Sequence, residues 1–255
     1  QILFLRFLHN LVPFVDNIYL NIDSRLHEII KRMNLNIHFV SNVDQIKKNN
    51  INSQIPIGDL GCLFVKNNSN LIDNFEGYIK SDTKITNDLK NNFKNQKKYI
   101  CGLSWISKNE DIGINKSISL EVLKPLLSLK NITFVDLQYN NTINERKKFY
   151  DTNQIKIEKF EHIDNFNDLN GVTSLIEICD FVITISNTTA HLSGSLGKKT
   201  YLLLPKGKGL LWYWSSKNKK SNWYPSIEIL QQNVVGSWVS VINKLTKILK
   251  DNLIE

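Results

Sequence analysis

The run Phe181-Val-Ile-Thr-Ile-Ser186, continued by Asn187-Thr-Thr-Ala190-His-Leu-Ser-Gly-Ser195-Leu-Gly197, decides how this chain is read. Its first part is a short apolar, β-branched run, which reads as a buried strand ending at Ser186. A helix comes within two or three residues, over Thr188 to Leu196. Gly197 stands where a helix end favours a left-handed residue. A strand running directly into a helix is the unit from which doubly wound α/β domains are built, with their sites at the carboxyl ends of the strands.

The same alternation extends to both sides. Upstream, Tyr99 to Trp105 reads as a buried strand, Ser119 to Leu129 as a helix and Ile132 to Leu137 as a strand. Asn144 to Tyr150 reads as a helix, Ile155 to Ile157 as a short strand and Val172 to Cys179 as a helix. Downstream, Tyr201 to Leu204 is a strand stopped by Pro205, and Trp238 to Leu249 is an amphipathic helix. The first part of the chain repeats the theme more weakly. Ile2 to Leu11 has helical spacing, Asn17 to Ile22 alternates, Ser24 to Met33 reads as a helix capped by Ser24, and Ile37 to Val40 as a strand. Residues 67 to 98 are mostly polar and read as a linker. The expected division is therefore 1–97 and 98–255.

The composition narrows the function. With 255 residues, 42% of them hydrophobic, and no apolar run of 18, the chain reads as globular and not as a membrane span. The net charge of +8 invites a nucleic-acid reading. That reading is set aside, because 28 Lys stand against 4 Arg, and 33 Asn against a single Ala, which is the bias of an AT-rich genome. A bound anion and an acidic membrane surface stay open as partners. Cys62, Cys101 and Cys179 show no paired or metal-ligand spacing and are expected as buried free thiols, which fits a cytoplasmic setting. The chain starts at Gln1 within an amphipathic run and its one Met is Met33, so a fragment is expected.

Four segments carry candidate chemistry. At the strand–helix junction, the free N–H groups of a helix start attract phosphate, Thr188 and Thr189 add hydroxyls, and His191 lies in the first turn. The competing reading is an ordinary capped helix with a partly exposed histidine. Lys116 and Ser117 end a polar loop before a helix, where they suit a diphosphate or simply a solvated surface. Gln138 lies just past a strand, placed to meet a nucleobase or ribose. The loop from Leu204 to Trp214, with Trp223-Tyr-Pro225, holds three of the five Trp, as stacking platforms or as a packed aromatic cover.

Taken together, these segments resemble the C-terminal half of GT-B glycosyltransferases, of the kind fused to tetratricopeptide repeats in bacteria and related to lipopolysaccharide heptosyltransferases. The likeness rests on G-L-S-W at 102–105, Lys116-Ser117-Ile118, L-Q at 137–138, T-A-H-L-S-G-S-L-G-K at 189–198, L-L-L-P at 202–205, W-Y-W at 212–214 and W-Y-P at 223–225. I-L-F-L-R-F-L at 2–8 resembles the first helix of the family's N-terminal domain. The resemblance implies two Rossmann-like lobes, the N-terminal one incomplete, and donor contacts from Ser107, Lys116, Gln138, Thr188, Thr189 and His191. Asn187 stands where relatives commonly carry Asp.

The implied reaction moves a glycosyl group from a nucleotide sugar to a protein, glycan or lipopolysaccharide acceptor, with no metal and no other cofactor. His191 would stabilise the leaving group, while the acceptor base would come from the N-terminal lobe. The implied partners are the nucleotide sugar and the acceptor, with peripheral contact at the inner membrane surface left open and no nucleic acid. The resemblance also implies that the last helix crosses back to the first lobe. The rivals are a non-catalytic nucleotide-binding or scaffold module, and a GT-B-like nucleotide-sugar epimerase.

Overall fold

The computed structural model describes residues 1–42, 46, 51–65, 77–94, 97–214 and 219–253. Ile2–Phe7 forms a 3₁₀ segment that runs into helix α1 (Leu8–Leu11). Strand β1 (Ile18–Leu20), helix α2 (His27–Lys31) and strand β2 (Ile37–Phe39) come next, with β1 and β2 parallel in a two-stranded sheet. The turn before α2 is capped by Asp23 and not by Ser24: the Asp23 carboxylate accepts from Arg25 N and also holds the Arg25 guanidinium at 2.6 Å.

Helix α3 (Leu60–Phe64) was not foreseen from the sequence, and it carries Cys62 on an exposed face. That corrects the expectation of three buried thiols: Cys101 and Cys179 are buried, Cys62 is not. Part of the expected linker lies outside the described residues. Within it, helix α4 (Thr83–Asn91) is capped by Asp82 and packs on a helix of the larger sheet.

The chain then runs through β3 (Tyr99–Ser104), α5 (Gly113–Lys116), α6 (Leu120–Leu127), β4 (Ile132–Asp136), α7 (Ile143–Asn153), β5 (Ile157–Glu158) and α8 (Leu169–Ile178). It ends with β6 (Phe181–Ile185), α9 (Thr188–Ser195), β7 (Thr200–Leu204), β8 (Ile227–Gln231) and α10 (Val239–Asn252). Strands β3 to β8 form one parallel sheet in the order β5-β4-β3-β6-β7-β8. Numbered within the sheet, this is 3-2-1-4-5-6, the doubly wound order of dinucleotide-binding folds, with its switch point between β3 and β6. Strand β8 had no counterpart among the sequence expectations. Its I-E-I-L-Q run is short and comes directly after the aromatic segment that masked it.

The sheet is apolar on both faces, and strand period decides which side chain goes where. Phe181, Ile183 and Ile185 join Cys101, Leu103, Tyr201 and Leu203 under α6 and α10, while Val182 faces the α8 layer. Helix α10 buries Val241, Ile242, Leu245 and Leu249 against α6 and the edge strand β8. This corrects the expectation that the last helix crosses back: the first part of the chain meets the opposite face. There Leu5, Phe7, Ile29 and Leu60 share a core with Val172, Leu175 and Ile176 of α8 and with Leu192 of α9.

Two local features fix the ends of the β6–α9 unit. Asp180 accepts from Ile100 N at 2.7 Å, tying the start of β6 to β3. Gly197, at φ +74°, takes the left-handed conformation expected after α9, and its N–H bonds Gly194 O.

Candidate functional site

The parallel register brings Ser104, Asp136 and Thr184 to one edge of the sheet, because Ser104 pairs with Thr184 and Leu103 with Asp136. The loops and the helix start that leave this edge form the candidate site. Gln138 is fully buried, and its side chain clamps the end of β3. Its Oε1 accepts from Ser104 Oγ at 3.1 Å, Trp105 N at 2.9 Å and Ile106 N at 2.8 Å, while its Nε2 donates to Ile106 O at 2.9 Å. The side chain expected to reach a nucleobase is thus committed to shaping the loop after β3.

Asn187 is committed in a similar way. Its Nδ2 donates to Ser104 Oγ at 2.7 Å and its Oδ1 accepts from Thr184 Oγ1 at 3.1 Å. This stitches β6 to β3 at the switch point. A carboxylate could not donate to Ser104, so an amide suits this position. Ser107 lies in the loop folded back on itself: its N–H donates to Ser117 Oγ at 2.9 Å, and Ser117 Oγ donates to Gly113 O at 2.8 Å.

Because the Asn187 side chain turns to Ser104, it makes no cap on α9. Helices α4, α6 and α8 are each capped by a side chain, from Asp82, Ser119 and Asp168 respectively. The first-turn N–H groups of α9 thus lack that side-chain partner, and the positive end of its dipole stays unneutralised there. Thr188 is exposed at this start and Thr189 is buried beneath it.

Lys116 adds a second positive element. It is 5% exposed and donates to Ser186 O at 3.0 Å, one residue before the α9 cap. Burial lowers its pKa. Among the described residues no carboxylate forms an ion pair with it, so its charge adds to the dipole end beside it. Trp214 closes the floor, donating from Nε1 to Ser186 Oγ at 2.9 Å.

His191 completes the group. Its ring stacks on Trp214 at 4.9 Å and lies 5.4 Å from the Tyr213 ring, and its Nδ1 is 3.0 Å from the Tyr224 hydroxyl. Burial among these rings, with nearby positive charge including Lys116 adding to it, lowers its pKa to about 3. A depressed histidine pKa means that the unfolded chain binds the proton and the folded chain does not. This contribution to stability is complete above the ordinary value of 6.5 and is lost as pH falls towards 3. Wild-type protein should therefore lose urea resistance more steeply than His191→Phe between those limits. Parallel curves for the two proteins would show that the ring is protonated in the fold.

Of the seven expected residues, Ser107 belongs to the folded-back loop after β3, and the other six fall into two groups. Lys116, Thr188, Thr189 and His191 gather at the start of α9, while Gln138 and Asn187 hold the backbone beneath them. Sequence reasoning gave no site role to Ser104, Ser186 and Tyr224, whose roles depend on strand register and on a contact across 33 residues. Among the described residues, no group of three or more His, Cys, Asp or Glu is placed to hold a metal ion. No helix is long and apolar enough to cross a membrane, among the same residues.

The larger sheet and its switch point make this a doubly wound α/β protein, with a helix start that has no side-chain cap beside that switch point. No protein-family model matches the sequence. The chain is 26% identical over 152 residues to Protein FlbA of Caulobacter vibrioides, a match that takes in 59% of this chain and 25% of FlbA.

Among solved structures it is similar to the ADP-heptose lipopolysaccharide heptosyltransferase II of E. coli, with a TM-score of 0.47 and 11% identity, over 69% of this chain and 54% of that one. It is also similar to a glycosyl transferase of family 9 from Veillonella parvula, with a TM-score of 0.48 and 11% identity, over 70% and 54%. The E. coli heptosyltransferase WaaC with ADP-2-deoxy-2-fluoro heptose gives a TM-score of 0.42 and 12% identity, over 72% and 47%. The chain thus spans about half the length of these solved proteins and a quarter of FlbA.

Proposed function

We propose that this chain carries the donor-binding part of a GT-B glycosyltransferase, which moves a glycosyl group from a nucleotide sugar to a protein, glycan or lipopolysaccharide acceptor. The observation that carries the reading is the meeting of three features at the switch point: the uncapped start of α9, the buried Lys116 ammonium and the neutral His191 ring. A diphosphate seated there would take hydrogen bonds from the first-turn N–H groups and from Thr188. Lys116 would supply the charge and His191 a neutral N–H. As the glycosyl bond breaks, negative charge grows on the diphosphate, and donors fixed in place stabilise it without reorganising.

In this reading the work is electrostatic and needs no metal, as the resemblance implies. The base that activates the acceptor comes from the N-terminal lobe. Residues 1–97 belong to the acceptor-side lobe and 98–255 to the donor lobe. The setting is cytoplasmic, with the inner membrane surface as a peripheral contact.

Titration calorimetry with ADP, GDP and UDP tests this. One of the three is expected to bind, and Lys116→Met should weaken it. A hydrogen bond to a charged group contributes about 1.5–3 kcal/mol, so the loss should be on the order of tenfold to a hundredfold. The melting temperature should change little, since the variant removes a buried charge along with its bond to Ser186 O. Failure of all three nucleotides to bind wild-type protein would overturn the reading.

One observation favours the non-catalytic alternative: the Gln138 and Asn187 side chains are taken up by hydrogen bonds within the fold. Binding of a nucleoside diphosphate by protein that neither transfers nor hydrolyses any nucleotide sugar would select that alternative.

A further inference from the structure

Tyr224 is fully buried between α9 and the first part of the chain, with its hydroxyl against the His191 ring. That hydroxyl is 3.0 Å from His191 Nδ1 and 3.4 Å from the Tyr78 hydroxyl. Tyr78 in turn donates to Ile2 O at 2.9 Å. Ser195 Oγ, also near Tyr78, donates to His191 O at 2.6 Å. With those protons so placed, His191 Nδ1 at 3.0 Å lies nearer the Tyr224 hydroxyl than the Tyr78 oxygen at 3.4 Å, and we take the ring nitrogen as the acceptor of its proton. A neutral imidazole carries one proton, so accepting at Nδ1 puts that proton on Nε2.

We infer that Tyr224 is a positioning residue that fixes His191 as its Nε2–H tautomer, leaving Nε2–H as the donor the ring offers a phosphoryl oxygen at the start of α9. The identity of that ligand rests on the function proposed above, whereas the tautomer does not. The surroundings support it from several sides. Trp214 stacks on the ring at 4.9 Å and Tyr213 stands 5.4 Å away, which together limit rotation of the imidazole. Gly194, one helical turn on, leaves room for Tyr224: a Cβ there would lie 2.5 Å from the phenol ring.

The charged groups nearby are Lys116 on the site side and Arg6, whose guanidinium lies over the Tyr78 ring at 5.7 Å. Lys116 and the Gln1 α-amino group disfavour an imidazolium. Burial pushes the Tyr224 phenol up and the His191 imidazole down, so both stay neutral across the working pH range.

The test is long-range proton–nitrogen correlation NMR on protein labelled at histidine nitrogen, with the His191 signal assigned by its loss in His191→Ala. Wild-type protein should show a neutral Nε2–H ring, unchanged between pH 6 and pH 8. Tyr224→Phe should give a mixture of tautomers and a threefold to tenfold weaker affinity for whichever of ADP, GDP and UDP binds. A wild-type ring protonated at Nδ1, or doubly protonated at pH 7, would overturn the inference. So would a Tyr224→Phe protein with the tautomer and the affinity both unchanged. The wild-type spectrum decides the tautomer even if that variant does not fold. An Nε2–H ring in a protein that binds none of the nucleotides would leave the positioning standing and remove the proposed function.

Discussion

Asp136→Ala is expected to destabilise the protein by about 3 kcal/mol, the lower end of what breaking a buried ion pair costs. Asp136 is fully buried at the end of β4, with Arg146 at 3.2 Å and Lys159 at 3.7 Å. It also accepts from Gln138 N at 2.6 Å and from the Thr142 hydroxyl. Burial raises the Asp136 pKa and lowers that of Lys159, so the charges are held at a desolvation cost. That cost is why the intact cluster adds little stability, while removing Asp136 leaves Lys159 without its ion-pair carboxylate and Arg146 with the exposed Glu161 alone.

The loss sits at the low end because the Arg146 and Lys159 side chains keep 16% and 11% exposure and can recover some hydration. The effect also reaches the site: Asp136 holds Gln138 N, and Gln138 holds the loop after β3. Urea titration checks the magnitude. A loss under about 1 kcal/mol, the scale of an exposed pair, would show that the two cations relax into solvent and that the cluster is not a structural anchor.

Gly194→Val should cost a similar amount and act on the other wall of the site. Any Cβ at residue 194 meets Tyr224 Cγ at 2.5 Å, Tyr224 Cδ1 at 2.6 Å and Ile227 Cδ1 at 2.9 Å. The two nearest atoms belong to the rigid Tyr224 ring, which is fully buried and packed with Leu202, Leu204 and Trp214, so it has no room to give way. Replacing a helical glycine normally gains up to about 1 kcal/mol of propensity, less for a β-branched residue. Overpacking of this kind costs about 1–3 kcal/mol and sometimes more, and it wins here. A net loss of about 2–3 kcal/mol corresponds to a melting temperature lowered by roughly 5–10 °C in a chain of this size. Displacing Tyr224 would also break its contact with His191 Nδ1, so nucleotide affinity should fall together with stability. A variant as stable as wild type would mean that the helix shifts away from Tyr224 at little cost.

Local sequence pattern is enough to set the type and order of most elements after residue 98. Apolar runs of five or six residues alternate there with capped helical segments, and a chain that alternates so has few options besides a parallel sheet covered on both faces. Local pattern also marks residues 186–197 as a strand end and a helix start, through Ser186, Thr188, His191 and Gly197. Contacts between distant segments set the rest. Strand order put Ser104 beside Asn187, 83 residues away, and so drew the Asn187 side chain into a stitch between strands and away from the start of α9. Strand register buried Gln138 against β3, a placement that no local spacing encodes. Strand β8 and the packing of α10 depended on which sheet edge was open, and that is known only once β7 is in place. The state of His191 arose in the same way: its lowered pKa and its tautomer come from Trp214 and Tyr224, residues distant in sequence that only the folded chain brings to the ring.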